Sequence, residues 1–110
     1  MTNNKVLLCE IANIIRSKNA GPFLITLDVI FESAIDYKKF KNKKYITHEK
    51  IKDLYRVKRS DIIEILFYDN AKAVKVTIKR LYSSGSPGDT DIYGAQQHVP
   101  LLLMELDGWK

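Results

Sequence analysis

The residues best equipped for chemistry in this 110-residue chain cluster in SSGSPGDTDIYGAQQHVP, Ser83 to Pro100. Ser86, Asp89 or Asp91, and His98 are the types found in a nucleophilic triad, where an imidazole takes the hydroxyl proton and a carboxylate orients the ring. The surrounding GSPG has no strand–turn–helix context of the kind that strains a serine into a nucleophile elbow, so the types stand without a motif. A second chemistry is anion binding. Ser84, Gly85, Ser86, Pro87 and Gly88 suit a nest of converging N–H groups, because glycine allows the backbone to approach an oxygen closely. No Gly-Lys-Ser/Thr closes the run into a phosphate loop, and an ordinary tight turn uses the same residues.

Asp89, Asp91 and His98 also offer oxygen and nitrogen donors to a metal. Cys9 and His48 are the other soft candidates, and together they make no Cys/His ligand spacing. Asp-Thr-Asp around Thr90 equally caps a turn through its own backbone. No metal and no cofactor is expected. Gln96, Gln97 and His98 bring amides and an imidazole to the edge of an apolar run. Each such group, buried without a partner, would cost about 1–3 kcal/mol, so they face water, pair internally or meet something bound. An imidazole here titrates near neutrality and is suited to general acid–base work, although a structural hydrogen-bonding histidine is the plainer reading. Ile92, Tyr93, Ala95, Val99 and Pro100 give the loop apolar anchors that a solvated linker does not need, so a folded, packed loop is expected.

The elements around the loop must hold it in place. Val6 to Lys18 repeats apolar residues at helical spacing and ends in Arg16, Lys18 and Asn19-Ala20-Gly21-Pro22, which predicts an amphipathic helix. FLITLDVIF, Phe23 to Phe31, changes to a two-residue period with Phe23, Ile25, Leu27, Val29 and Phe31 on one face, a strand near the middle of a sheet. A short helix is expected around Ala34 to Asn42, and another from His48 to Val57 with Thr47 as its N-cap. DIIEILFYD and VKVTIKR read as a hairpin turning at Asp69-Asn70-Ala71. The first strand would place Ile63, Ile65 and Phe67 on one face, the second Val74, Val76 and Ile78. LLLMEL, Leu101 to Leu106, supplies a last strand. The order predicts one α+β domain over residues 1–110: a small, mostly antiparallel sheet of about four strands with two or three helices on one face.

Composition narrows the function classes. The hydrophobic share of 45% and charged share of 28% describe a globular chain with room for one core. No apolar run approaches the length of a membrane span, and no signal peptide is read in MTNNKVLLCEIANII. The single Cys9 suits a reducing compartment, so a cytoplasmic location is expected. The net charge of +5 is regional: Asp36 to Arg59 holds ten Lys and Arg against three Asp and Glu. Such a stretch with interleaved aromatics would neutralise phosphates, with Lys38 to Lys44 as the contact. It belongs to no recognised nucleic-acid module, and the expectation is a solvated helix face.

RSKNAGPF at Arg16 to Phe23 and SGSPGDTDIYGAQQH at Ser84 to His98, with LITLDVIFES and AVKVTIKR, resemble the domain-of-unknown-function family 4387 over about Leu8 to Leu103. Members of that family are similar to the small C-terminal part of proteins related to acyclic terpene utilisation protein A. Those parts look ferredoxin-like and carry a Ser-Gly-x-x-Gly-Asp-Thr signature, matched here by Ser84, Gly85, Gly88, Asp89 and Thr90. The resemblance implies a small accessory or regulatory subunit joined to a large protein in organic-acid or acyl-thioester catabolism. A small carboxylate or acyl-thioester ligand would be its cargo, with self-association left open. Arg16, Ser17, Lys18 and Asn19, beside Gly21-Pro22, would supply cations and donors to such a ligand if the two blocks meet in space, with Tyr93, Gln96 and Gln97 on the facing loop. The alternative is a stand-alone enzyme on a small acid, with His98 as acid–base and Asp89 or Asp91 orienting it.

Overall fold

The computed structural model describes residues 5–79 and 99–109. Its frame is one four-stranded sheet built from β1 (Ile14–Asn19), β2 (Leu24–Ile30), β3 (Ile62–Tyr68) and β4 (Ala73–Lys79), in the order β1-β2-β4-β3 with every neighbour antiparallel. The helices are a single turn, α1 (Leu8–Ile11), then α2 (Ala34–Asn42), α3 (His48–Tyr55) and another single turn, α4 (Val99–Leu102). This is the small α+β architecture expected. Among the described residues the connectivity runs β-β-α-α-β-β, in place of the β-α-β-β-α-β order of a ferredoxin-like unit.

Alternation makes the core. Ile25, Leu27 and Val29 of β2 lie opposite Ile78, Val76 and Val74 of β4, and all six are buried. Ile62, Ile65 and Phe67 extend this face across β3, and Ile15 extends it across β1. Over it pack Tyr37 and Phe40 of α2, Ile51 of α3, Leu8 of α1, and Leu101 with Leu106. Burying side chains of this kind contributes about 1.5–3 kcal/mol each from the hydrophobic effect, which is what pins the helices to a single face.

Local signals account for α2 and α3. Ser33 and Thr47 accept hydrogen bonds from the N–H groups of Asp36 and Lys50, three residues on, as N-caps do. Arg56 ends α3 in the left-handed region at φ 54°, its neighbour Val57 N–H donating back to the Lys52 carbonyl. The hairpin also turns where expected, with Ala71 N–H donating to Tyr68 O and Lys72 N–H to Asp69 O.

Three segments depart from the sequence reading. The expected helix from Val6 to Lys18 is one turn, Leu8–Ile11, followed by strand β1. Glu10 Oε2 accepts from the Leu7 N–H and caps that turn. Ile14 and Ile15 then find a ladder along β2, from Ile14↔Ile30 to Asn19↔Ile25, where β-branched side chains pack well. The expected last strand over Leu101 to Leu106 is instead α4 followed by a single antiparallel bridge, Leu7↔Glu105. Pro100 suits the first turn of a helix, since its missing N–H would have had no helical partner. Leu8 N–H donates to Met104 O and Leu106 N–H to Val6 O, closing the chain on itself. In β3 a bulge between Ile62 and Glu64 shifts the register, so Ile62 is buried, and Ile63, expected to share a face with Ile65 and Phe67, is 52% exposed.

Candidate functional site

One end of the sheet carries the turn that closes the RSKNAGPF stretch. The β1–β2 turn, residues 20–23, reverses there, with Ala20 N–H donating to Leu24 O at 2.9 Å. Gly21 has φ +113°, a conformation that side chains rarely adopt; the space around it is open, so the backbone angle alone calls for glycine. Lys79, the last described residue of β4, lies opposite Leu24 in the ladder. The chain therefore leaves β4 toward residues 80–98 one step from the RSKNAGPF turn. Ser84, Gly85, Ser86, Gly88, Asp89, Thr90, Asp91, Tyr93, Gln96, Gln97 and His98 lie outside the described residues.

Because Arg16 to Asn19 form a strand rather than a helix end, their side chains alternate. Ser17 and Asn19 stand on the core-facing side opposite Leu27 and Ile25, half-buried. Arg16 and Lys18 stand on the opposite face, so the four residues do not converge on one point. Arg16 Nε donates to Asp28 Oδ2 at 3.1 Å, with the Asp28 side chain 14% exposed. Thr26 Oγ1 reaches the Lys18 carbonyl at the long limit of a hydrogen bond, 3.5 Å.

That face is ordered into three rungs that cross all four strands. Ile14, Ile30, Ala73 and Tyr68 make an apolar rung; Arg16, Asp28, Lys75 and Leu66 a charged one; Lys18, Thr26, Thr77 and Glu64 a polar one. Ile14, Leu66 and Tyr68, on the outer strands of this face, are large side chains left 39%, 38% and 44% exposed, while Thr26 and Thr77 at its centre are buried, 4% and 8% exposed. Sequence reasoning put Lys75 and Thr77 outward but missed the rungs, since their composition depends on which strands become neighbours. The one available signal was Asp28, a charge inside an apolar strand.

Part of the basic region is spent on the fold. Lys39 Nζ donates to the Trp109 carbonyl and lies 4.3 Å from the centre of the Trp109 ring. Lys43 Nζ donates to Gly108 O at 2.9 Å, and Lys41 Nζ pairs with Asp69 at 2.9 Å. Lys52 and Arg59 both approach Glu49 at 3.2 Å; the Lys52 hydrogen bond, then its charge, then Arg59 hold that carboxyl below its usual range. Three of the five lysines from Lys38 to Lys44 therefore have intramolecular partners.

A shallow recess of about 440 Å³ opens between α3 and the segment after α4, lined by Tyr45, Lys50, Asp53, Leu54, Met104 and Glu105 among others. Its rim combines one ammonium with two carboxylates, and Glu105 is also paired with Lys5 at 3.3 Å. Among the described residues no three His, Cys, Asp or Glu side chains form a metal-binding group. No helix among them is long and apolar enough to cross a membrane.

Compared with protein-family models, residues 8–105 match a domain of unknown function (DUF4387). No curated protein and no solved structure matches the chain.

Proposed function

This chain belongs to the DUF4387 family of domains of unknown function, and from that premise we propose that it is a small accessory or regulatory subunit of a larger protein. The larger protein is of the kind related to acyclic terpene utilisation protein A, in cytoplasmic organic-acid or acyl-thioester catabolism. In this reading the segment from Ser83 to Pro100, rich in Gly and Asp, completes a site at the interface. One observation carries it. The turn at the end of β1 and the point where the chain departs for residues 80–98 are neighbours, through the Leu24↔Lys79 pairing. The first of the stretches that bear the resemblance thus ends beside the point from which the chain sets out toward the second.

Size argues in the same direction. Ligand sites are concave and usually bury most of a small molecule. A four-stranded sheet with helices on one side offers little depth at its end, whereas a second protein would supply the missing wall. Lys18, the last cation before the turn, would lie nearest a carboxylate held there, with Asp89, Thr90 and His98 contributed from the segment.

Isolation of the untagged protein from its native cell extract tests the reading. Co-elution with a larger protein encoded nearby, at fixed stoichiometry and through two dissimilar columns, is expected. Elution of the chain alone, with that neighbour in other fractions, would overturn it.

A further inference from the structure

The recess beside α3 carries charges that the proposed subunit role does not use. Lys50 and Asp53 stand three residues apart on α3, and both line it. Among the described residues neither side chain makes an ion pair. The same helix shows why. In Glu49 and Lys52 the anion precedes the cation, the order that the helix dipole favours, and the two pair at 3.2 Å. In Lys50 and Asp53 the order is reversed, and the charges stay apart. Glu105, the other carboxylate at the rim, is already held by Lys5 at 3.3 Å. Among the described residues the recess therefore presents an unpaired cation and an unpaired anion, about one helical turn from each other.

The rest of the lining is mainly apolar. Tyr45 and Met104 are buried, Leu54 is half-buried, and Leu103 stands beside them 61% exposed. The Tyr45 hydroxyl is already spent on the Asp107 carbonyl. Met104 is unbranched and polarisable, the kind of side chain that adapts to a ligand of irregular shape. A volume of about 440 Å³, apolar surface and a few placed charges are the makings of a small-molecule site.

We propose that this recess binds a small zwitterion, an α-amino acid with an apolar side chain. Its ammonium meets Asp53, its carboxylate meets Lys50, and its side chain lies on Leu54, Leu103 and Met104. The two charged groups of such a molecule leave the same carbon, so it can answer two charges one helical turn apart while covering the exposed Leu103. A simple carboxylate would satisfy Lys50 but bring a like charge to Asp53 and Glu105; a simple amine would leave Lys50 unpaired. The recess thus differs in chemistry from the carboxylate site proposed at the sheet end, and it does not depend on that reading. It is shallow and its charges meet water, so binding is weak, with a dissociation constant on the order of 1 mM that rises with salt.

Amide-resolved NMR titration of the purified full chain with L-leucine and L-methionine tests the proposal. Saturable shifts at Lys50, Asp53, Leu54, Met104 and Glu105 are expected. Leucinamide and N-acetyl-leucine each lack one of the two charges and should bind about threefold or more weakly than leucine. Glycine, with no side chain to lay on the apolar floor, should bind more weakly too. Lys50→Gln should erase the preference for leucine over leucinamide, and Asp53→Asn the preference over N-acetyl-leucine, which a mere loss of helix stability would not do. Both positions are exposed, and circular dichroism checks that each variant keeps its fold. The absence of shifts at about 20 mM leucine would overturn the proposal. So would blocked analogues or glycine that match leucine, preferences that survive both substitutions, or shifts centred on the turn at Gly21 in place of the recess.

Discussion

Tyr37, Asp69 and Lys41 make a polar group centred on one carboxylate oxygen. The Tyr37 hydroxyl donates to Asp69 Oδ1 at 2.6 Å, and Lys41 Nζ meets the same oxygen at 2.9 Å. The Tyr37 hydrogen bond, followed by that of Lys41, holds the Asp69 carboxyl below its ordinary range. Burial, then the Asp69 contact, pushes the Tyr37 phenol well above its own. The two have opposite consequences for stability. A depressed carboxyl stabilises the fold above its unfolded-state pKa, and that contribution is lost as the pH falls through the folded value; Asp69→Asn should flatten the acid limb of thermal unfolding below about pH 4. A raised phenol contributes fully below its unfolded-state pKa and loses that contribution at higher pH, so stability should decline above about pH 10. Tyr45 and Tyr55 are raised by burial as well. Of the six tyrosines, these three should therefore ionise late, together with alkaline unfolding, in a phenolate absorbance titration. Immediate ionisation of all six near pH 10 would contradict the packing described. The turn at Asp69 was legible from its residue types. Its partners were not, because Tyr37 is 32 positions away in the chain.

At the scale of elements, α3 is the clearest case of local determination, and both its ends can be tested. Thr47→Ala removes the acceptor for Lys50 N–H and should cost about 1 kcal/mol. Arg56→Gly relieves a left-handed non-glycine residue and should stabilise by about 0.5–1 kcal/mol. Urea unfolding of the two variants gives both values; a destabilised Arg56→Gly would mean that its side chain supports more than the helix end. The contrasting element is β1. Leu7 to Ile15 carries apolar residues at a spacing that an amphipathic helix and a helical turn followed by a strand both satisfy. Its dihedrals were settled by the hydrogen bonds of β2, whose outer edge would otherwise have presented unpaired backbone groups. That choice also redistributed Arg16 to Asn19 over two faces, which turned a supposed cluster of cations and donors into two rung ends, Arg16 and Lys18, and a core-side pair, Ser17 and Asn19.

Across the whole molecule a row of aromatic rings ties first to last. Phe31 contacts Tyr37 and Phe40, Phe40 stacks on Tyr45 at 5.6 Å, and Tyr45 lies 6.1 Å from Trp109. The Tyr45 hydroxyl donates to the Asp107 carbonyl, and Lys39 and Lys43 donate to the carbonyls of Trp109 and Gly108. The segment after α4 is thus seated on α2 and the loop that follows it. Trp109→Ala should cost about 3–5 kcal/mol, a large part of the stability of a domain this size, read as a lowered urea midpoint. A change below about 1 kcal/mol would mean that the seating contributes little to the fold.

The residue pattern by itself determined β2, α2, α3 and the β3–β4 hairpin, because alternation, caps and turn residues act over a few positions and need no distant partner. It also put Ile25, Leu27 and Val29 on one apolar face and turned Val74, Val76 and Ile78 inward, and all six are buried. Tertiary structure decided the rest: that Ile14–Asn19 is an edge strand, that Leu101–Leu106 folds as a helical turn and a bridge, and that a bulge exchanges Ile62 for Ile63. Each of those outcomes rests on backbone hydrogen bonds to residues far along the chain. Local hydrophobic spacing is compatible with more than one answer there, and only the available partner selects between them.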